Sequence, residues 1–563
     1  VLLEKNTSLP DFQDKISGFI MEHDKRTNQK VTLGLMPFSK IYLYSLNGTN
    51  PIVYVYIFLT IAIAILLIAC VNFINLSTAR SNTRAKEIGM RKVVGAGKSD
   101  IIKQFIGESI ILSIFSLFLA IALVYMFLPA FNALSGKELT LDITGNFTTL
   151  LGLIGITLFT GLASGSYPAL LLSSLKPVKT LKGAVQSGSG GYILRKILVV
   201  GQFTATIVLL IGTLVMYRQL RYIENMDLGL DKDFVISIRM NSDLRQNYRS
   251  LKEEILQHPN VFNVSSAWNQ PTAIGRINPV YWEGRGPDQY VTINDASVDY
   301  DYFETFGMEI VQGRSFSEEF GTDMGSYVLN EEAAKLTGLE SPIGKMFSVW
   351  EDEGQIIGIV KNFHSQSLHN EIGPVVFTLS QRHGSHSFIF VKIRPNDVSQ
   401  TLASLEKITS KFAPNDLFRY SFLDDDVQSQ YTDDRQRGTI YKYFSILAIF
   451  ISCLGLFGMA SFISEQRTKE IGIRKVMGAS VTNIVMKVSK DFIFLLVLSN
   501  IVAWPIAYFA LSGMLNNYAY RTNFPIWIFV LSGVIALTIA LFSIGFKIIR
   551  AACANPADSL HYE

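Results

Sequence analysis

Seven long apolar runs constrain this 563-residue chain more than any other feature, and the one charged residue inside them is Lys442, near the edge of the fifth. A hydrocarbon core of about 30 Å needs roughly 20 helical residues to cross it. A mean hydropathy of +0.28 and a charged fraction of 17% agree with a membrane protein. The runs lie near residues 52–76, 109–131, 148–172, 197–217, 441–463, 492–512 and 526–546. We therefore predict an α-helical polytopic membrane protein with seven spans.

Basic residues in alternate loops predict the orientation of the spans, because Lys and Arg accumulate on the cytoplasmic side. Segments 77–108, 173–196 and 464–490 are rich in both. The loops 132–147 and 513–525 contain one basic residue each, and they fall on the other side together with the polar region 218–438. This pattern predicts a multi-pass membrane protein with an extracytoplasmic domain at 218–438.

An internal duplication divides the chain. "KEIGMRKVVGAGKSD" begins at Lys86 and "KEIGIRKVMGASVTN" begins at Lys469, and each copy follows one apolar run and precedes two more. We expect the outer domain 218–438 to be followed by a second three-helix unit. The expected divisions are the end of a first outer domain at 1–50, a three-helix unit at 51–196, a helix at 197–217, the outer domain at 218–438 and the second three-helix unit at 439–563. The symmetry of the halves predicts eight spans in a complete chain and a truncation at the N-terminus.

The Gly-Ala-Gly-Lys-Ser of the first copy resembles part of a nucleotide-binding P-loop. A P-loop needs a first glycine five positions before the Gly of Gly-Lys-Ser, in a turn between a strand and a helix. That position is Lys92, and the second copy replaces Gly-Lys-Ser with Ser-Val-Thr. We therefore expect no nucleotide site, cofactor or catalytic residue in this chain.

The repeat itself predicts a short amphipathic cytoplasmic helix, near 84–97 in the first copy and 467–480 in the second. One stripe is charged and another is apolar in both copies. The charged stripes are Arg84, Glu87 and Arg91, and Arg467, Glu470 and Arg474; the apolar ones are Met90, Val93 and Val94, and Ile473, Val476 and Met477. Two interpretations stay open: a helix on the membrane surface, or a helix that docks a partner protein. The repeated acidic residue favours docking, through Glu87/Arg91 and Glu470/Arg474.

The outer domain predicts two strand–helix–strand units around an insertion at about 275–385. The first unit comprises strands at 234–240 and 261–268, and the second comprises strands at 387–394 and 418–424. This order predicts a ferredoxin-like α/β subdomain that carries a second, strand-rich subdomain. From 426 to 463 we expect one continuous helix.

Other polar residues have simpler interpretations. Asn72, Asn75, Gln202, Thr204 and Thr206 are expected to form interhelical hydrogen bonds, and Gly161 and Gly165 to allow close helix packing. His364, His369, His383 and His386 lack the companions of a zinc motif, so we expect no metal site. The outer domain has no recognisable catalytic motif.

Taken together, these motifs resemble the FtsX-like, MacB-type permeases of ATP-binding-cassette systems. The resemblance rests on both repeat segments, on "VLNEEAAKLTGLESPIGKMF" at 328–347, on "IIGIVKNFHSQSLH" at 356–369 and on the order of spans and domain. It implies that the repeated helices are coupling helices that contact an ATPase. The implied coupling residues are Arg84, Glu87, Gly89, Arg91, Lys92, Gly95, Arg467, Glu470, Gly472, Arg474, Lys475 and Gly478.

The same resemblance implies a partner and a mechanism. A separate ATPase dimer, which carries ATP and Mg, would drive the outer domains by mechanotransmission in a bacterial inner membrane. The process would be export or extraction of a peptide, an antibiotic or a lipoprotein, with a periplasmic adaptor or outer-membrane partner and no nucleic acid. The alternative is an extracytoplasmic sensor or scaffold that passes on a conformational signal without transport.

Overall fold

The computed structural model forms two compact units. We call residues 1–49, 221–433 and 516–521 the outer unit, and residues 50–220, 434–515 and 522–563 the membrane unit. The structure describes residues 3, 7–19, 33–41, 43–44, 51–79, 81–143, 145–174, 189–286, 290–379, 386–466, 473–475, 477, 480–516 and 518–553.

Long helices dominate the membrane unit. Two short helices of the outer unit precede them in the chain, α1 (Leu9–Ser17) and α2 (Phe38–Ile41). The helices of the membrane unit are α3 (Ile52–Ala79), α4 (Ser81–Val93), α5 (Lys98–Ser135), α6 (Phe147–Ser173), α7 (Ser189–Glu224), α14 (Thr432–Gln466), α15 (Val481–Leu515) and α16 (Ile526–Cys553).

Seven helices among the described residues are long and apolar enough to cross a membrane: α3, α5, α6, α7, α14, α15 and α16. The prediction of seven spans is confirmed. Several helices extend past their apolar run; α5, for example, begins at Lys98, eleven residues before the run at 109–131.

Polar side chains of α7 join the spans as predicted. Gln202 of α7 donates from Nε2 to the Ser452 carbonyl of α14 at 3.3 Å, and the Thr206 and Ser452 hydroxyls are 2.8 Å apart. Thr204 donates to the Ser499 carbonyl of α15 at 3.4 Å. These bonds satisfy polar groups that lipid could not.

The two glycines of α6 bring it close to α5. A Cβ added at Gly161 would lie 3.0 Å from Ile110 Cα, and one at Gly165 would lie 2.6 Å from the Ser109 hydroxyl. The expected close packing at Gly161 and Gly165 is confirmed.

The outer unit is a mixed sheet with helices on its faces. Its strands are β1 (Val235–Arg239), β2 (Val261–Ala267), β3 (Ile277–Trp282), β4 (Val291–Val298), β5 (Ile310–Gly313), β6 (Tyr327–Asn330), β7 (Met346–Val349), β8 (Asp352–Val360), β9 (Val375–Leu379), β10 (Phe388–Ile393) and β11 (Tyr420–Phe422). Its helices are α8 (Ser242–Gln246), α9 (Tyr248–Leu256), α10 (Tyr302–Thr305), α11 (Glu331–Thr337), α12 (Val398–Phe412) and α13 (Leu423–Ser429).

The ferredoxin-like prediction is confirmed by the strand order β11-β1-β10-β2, in which all neighbours pair antiparallel. Leu251 and Ile255 of α9 and Leu405 of α12 are buried against this sheet. Leu251 and Ile255 are four residues apart, so they lie on one face of α9.

The inserted subdomain closes on itself. Its strands follow the order β4-β3-β7-β8-β6-β9, and β9 pairs with β4 in parallel. Ile293, Tyr327, Phe347, Ile356 and Val376 fill its interior. Ala267 of β2 pairs with Val298 of β4, and the Asp299 amide bonds to the Ser266 carbonyl, so β2 and β4 join this closed ring to the ferredoxin-like strands.

The expectation of one helix from 426 to 463 is wrong. α13 ends at Ser429 and α14 begins at Thr432. Between them, the Gln430 and Tyr431 amides bond to carbonyls three residues back, which tightens the turn. The Tyr431 hydroxyl also accepts a hydrogen bond from the Leu368 amide at 2.9 Å, which fixes the break within the outer unit.

Candidate functional site

The first repeated helix is α4, and it lies earlier than predicted. It spans Ser81–Val93 and not 84–97. Gly95 has φ +107°, a left-handed conformation, and the Ala96 amide bonds back to the Arg91 carbonyl at 3.0 Å. Glycine adopts such a φ without a Cβ penalty, so the helix ends before Gly95.

The charged stripe of α4 is engaged within the chain. Arg84 Nη1 lies 2.7 Å from Glu108 Oε2 on α5. Arg91 pairs with Glu87 at 2.8 Å and donates to Gln104 Oε1 on α5 at 2.6 Å. Sequence reasoning missed Gln104 and Glu108, although an acidic residue at the start of an apolar run beside a basic segment is a usable signal.

Two further contacts fix α4 against the spans. Ile88 is buried in a cluster with Ile101, Phe105 and Leu172. Lys92 donates from Nζ to the Ser173 carbonyl at the last residue of α6, where a cation complements the helix dipole. Partial burial, with a smaller effect of Lys98, lowers the pKa of Lys92. Gly89 is buried beside Ile88.

The apolar stripe of the first copy, which runs along α4 to the residue that follows it, is exposed. The exposed fractions of Met90, Val93 and Val94 are 57%, 60% and 83%. In the second copy Ile473 and Met477, which stand at the positions of Met90 and Val94, are exposed by 47% and 78%. The same two positions therefore present apolar side chains in both copies.

The rest of the second copy is only partly covered. Residues 473–475 are helical, and Arg474 and Lys475 are half-buried. Arg467, Glu470, Gly472 and Gly478 lie outside the described residues, as does Val476. The predicted pair of Glu470 and Arg474 therefore stays a prediction.

The P-loop-like segment follows a helix, α4, where a P-loop follows a strand. The Gly97 amide donates to Asp100 Oδ2 at 3.0 Å. Asp100 thus places its own carboxylate at the N-terminus of α5, where a P-loop would hold phosphate.

The histidines of the outer unit lie in separate aromatic contacts. His386 stacks on Tyr248 with ring centroids 4.8 Å apart, and it bonds to the Ser266 hydroxyl at 2.6 Å. His369 stacks on Tyr518 at 4.8 Å. Among the described residues no group of three or more His, Cys, Asp and Glu side chains is arranged to hold a metal ion. His383 lies outside those residues.

The two outer-domain motifs form one substructure. The Asn362 amide donates to Glu331 Oε2 at 2.8 Å, and Asn362 Nδ2 donates to Glu332 Oε1 at 3.0 Å. Strands β6 and β8, which lie in these motifs, pair in parallel. His364 lies edge-on to Tyr520 at 4.8 Å, so the second motif also contacts the 516–521 segment of the outer unit.

Family models match most of the chain. The FtsX-like permease C-terminal model matches residues 59–177 and again 443–556. The MacB-like periplasmic core domain model matches residues 197–408. The chain belongs to the FtsX-like, MacB-type ABC permeases. The permease is thus a multi-pass inner-membrane protein with a periplasmic domain. The distribution of basic residues correctly predicted the extracytoplasmic placement of that domain.

Curated relatives match parts of this permease. The macrolide export ATP-binding/permease protein MacB of Chromobacterium violaceum is 24% identical over 292 residues, which cover 48% of this chain and 44% of the relative. The protein of the same name from Bdellovibrio bacteriovorus is 32% identical over 117 residues, which cover 21% of this chain and 17% of the relative. In both comparisons the permease spans less than half of the relative's length.

Among solved structures, the periplasmic region of MacB from Actinobacillus actinomycetemcomitans is similar with a TM-score of 0.27 and 18% identity. The match covers 36% of this chain and 94% of that one.

Proposed function

We propose that this permease is the transmembrane subunit of an ATP-driven mechanotransmission complex, and that a separate ATPase dimer docks on α4 and on its counterpart around 473–477. Membership of an ABC permease family supports an ATPase partner in general. That the ATPase is a separate chain, and that it binds at these helices, is the proposal. ATP and Mg would be bound by that partner.

The observation that carries the proposal is the repeated exposure of apolar side chains at equivalent cytoplasmic positions. Met90 and Val94 are exposed in the first copy, as are Ile473 and Met477 in the second. Burying one such side chain in an interface is worth about 1.5–3 kcal/mol. Two equivalent patches fit the two monomers of a dimer.

The contacts of the charged residues change their proposed role. Since Arg84 and Arg91 are paired within the chain, they position α4 and do not supply the main docking contacts. Glu87, whose side chain is 52% exposed, would lie at the polar rim of the interface.

The same contacts give α4 a way to transmit movement. Ile88 packs with α5 and α6, Arg84 pairs with α5, and Lys92 bonds to the end of α6. A displacement of α4 by a closing ATPase would therefore be passed to both spans. The output would be export or extraction of a peptide, an antibiotic or a lipoprotein; the curated relatives are named for macrolide export. A periplasmic adaptor or outer-membrane partner would receive the exported or extracted substrate.

Co-purification of the ATPase tests the proposal. Val94→Asp and Met477→Asp place a charge in the patch without touching any contact of α4 within the chain, so each should reduce ATPase recovery about tenfold, and the double variant more. Val94→Ile is the matched control and should keep wild-type recovery. Full recovery of the ATPase with the double aspartate variant would exclude docking at these helices and leave them as membrane-surface helices.

A further inference from the structure

A cavity of about 530 Å³ lies within the membrane unit, between α3, α4, α5 and α14. Its walls include the apolar side chains of Ala69, Phe73 and Leu76 of α3, Leu112 of α5, and Ile451 and Leu454 of α14, and the polar side chains of Asn72 and Ser109. Leu112 and Leu454 are exposed, so the cavity opens sideways to the surface that faces lipid. The two copies of the repeat both contribute to it, through α3 and α14.

One end of this cavity carries a charged pair. Arg84 and Glu108 line it, with Nη1 and Oε2 2.7 Å apart and with side chains 48% and 39% exposed. The other N–H groups of Arg84 have no hydrogen-bond partner among the described residues. Glu108 Oε1 accepts from Gln104 Nε2 at 3.0 Å, and its lone pairs allow further bonds. The pair can therefore bind an anion through the N–H groups of Arg84 and a cationic hydrogen-bond donor through the carboxylate of Glu108.

The other end of the cavity is mainly apolar, with Asn72 as a polar group on α3, and reaches into the bilayer. Ala69 lies eight residues from Ser77 on the same wall of α3, which is about 12 Å along the helix. α3 runs from the periplasmic to the cytoplasmic side, since α4 follows it and carries the basic segment. The charged end thus lies at the cytoplasmic leaflet and the apolar end points toward the middle of the membrane.

We propose that this cavity binds one phospholipid of the cytoplasmic leaflet with an ethanolamine headgroup. The acyl chain lies along Phe73, Leu76 and Leu454. The phosphate accepts from those N–H groups of Arg84 that do not hold Glu108, and the ammonium donates to Glu108. A phosphatidylglycerol headgroup has no cation for Glu108, and a choline headgroup has no N–H to donate, so both fit less well. The site does not depend on ATPase docking.

Native mass spectrometry of the full chain, released from nanodiscs that contain equal parts of ethanolamine, glycerol and choline phospholipids with identical acyl chains, tests the site. We expect one retained lipid per chain, with the ethanolamine lipid about tenfold over each of the others. Glu108→Gln should reduce that ratio to near one. Leu112→Trp should abolish retention by filling the cavity, whereas Leu119→Trp, at an exposed position of α5 outside the cavity, should not.

Equal retention of the three lipids by the wild-type chain would overturn the headgroup assignment. Retention that is unchanged in Leu112→Trp would overturn the cavity as the site. If Leu112→Trp does not fold, Leu454→Trp tests the cavity from α14. The headgroup assignment is tested by the wild-type chain alone. Retention of a lipid by Leu454→Trp at the wild-type level would count equally against the cavity.

Discussion

Asn72 of α3 lies against Gly455 of α14, and the two positions are equivalent in the repeat. Gly455 stands 383 positions after Asn72, the offset that also separates Lys86 from Lys469. Asn72 donates from Nδ2 to the Ile451 carbonyl, and a Cβ at Gly455 would overlap the Asn72 amide. An asparagine in one copy thus occupies the space that a glycine leaves in the other.

A second close contact lies one turn further, between positions that are not equivalent in the repeat. A Cβ at Gly458 would overlap Leu76, and the residue equivalent to Gly458 in the first copy is Asn75. Two glycines of the second copy therefore receive larger side chains of the first. At the contact of Asn72 with Gly455, identical halves would place Asn against Asn or Gly against Gly, so the two copies have diverged to fit each other there.

Gly455→Ala should destabilise the membrane unit by about 1–3 kcal/mol, because the added methyl group overpacks the crossing of α3 and α14. Thermal unfolding of the purified permease measures the change. Gly201→Ala on α7 is the matched control, since a Cβ there meets nothing within 4 Å. Adding Asn72→Ala should restore much of the lost stability. If the double variant instead loses as much stability as the two single variants together, the two residues do not interact.

Lys252→Met should destabilise the outer unit by about 3 kcal/mol, because it removes the cation beside the largely buried Asp299 carboxylate and the more exposed Asp301. Lys252 Nζ lies 2.6 Å from Asp299 Oδ2 and also pairs with Asp301. Burial opposes its charged form, but the two carboxylates outweigh burial and raise the pKa of Lys252. Hydrogen exchange of the β2 amides gives the opening free energy.

Lys335→Met is the control for that variant. Lys335 pairs with Glu332 on the exposed surface of α11, where ion pairs contribute little. We expect no measurable change in β2 exchange. Equal effects of the two substitutions would contradict the special role of the buried pair.

Acidification should destabilise the ferredoxin-like sheet through His386. Burial lowers the pKa of His386 below its ordinary value of 6.5, and the nearby Asp299 offsets this only in part. The unfolded chain therefore binds the proton more readily, and stability falls as the pH drops through about 6.5 toward the folded pKa. Hydrogen exchange of β2 and β10, corrected for the intrinsic effect of pH, measures this.

His386→Phe keeps an aromatic ring against Tyr248 but cannot titrate, so the loss of protection between about pH 7 and pH 5 should be smaller than in the wild-type protein. Burial also lowers the pKa of His364, so part of the pH dependence should remain. An undiminished pH dependence in His386→Phe would show that His386 is not the group that titrates.

Local patterns predicted much of the fold. Alternation in β1, β2 and β10, and the helical spacing of Leu251 and Ile255, were sufficient for the ferredoxin-like subdomain because each signal lies within one element. The closed ring of the insertion was not predictable, since the parallel pairing of β4 with β9 joins strands far apart in sequence.

The site was only partly predictable for a similar reason. The sequence contains both stripes of α4, but which stripe faces the spans depends on Gln104, Glu108 and Leu172, which lie on other helices. The charged stripe therefore received the docking role that we now propose for Met90 and Val94. The pairing of Asn72 with Gly455 could have been found by extending the alignment of the repeat upstream at its constant offset.

The most direct test of the ATPase contact is photo-crosslinking in cells from a benzoylphenylalanine placed at Val94, at Met477 or, as a control, at Val124, which is exposed in the membrane-spanning part of α5. If the ATPase docks at the two repeated helices, adducts should form from positions 94 and 477 and none from position 124. An assembled complex that gives no ATPase adduct from either 94 or 477 would contradict this docking.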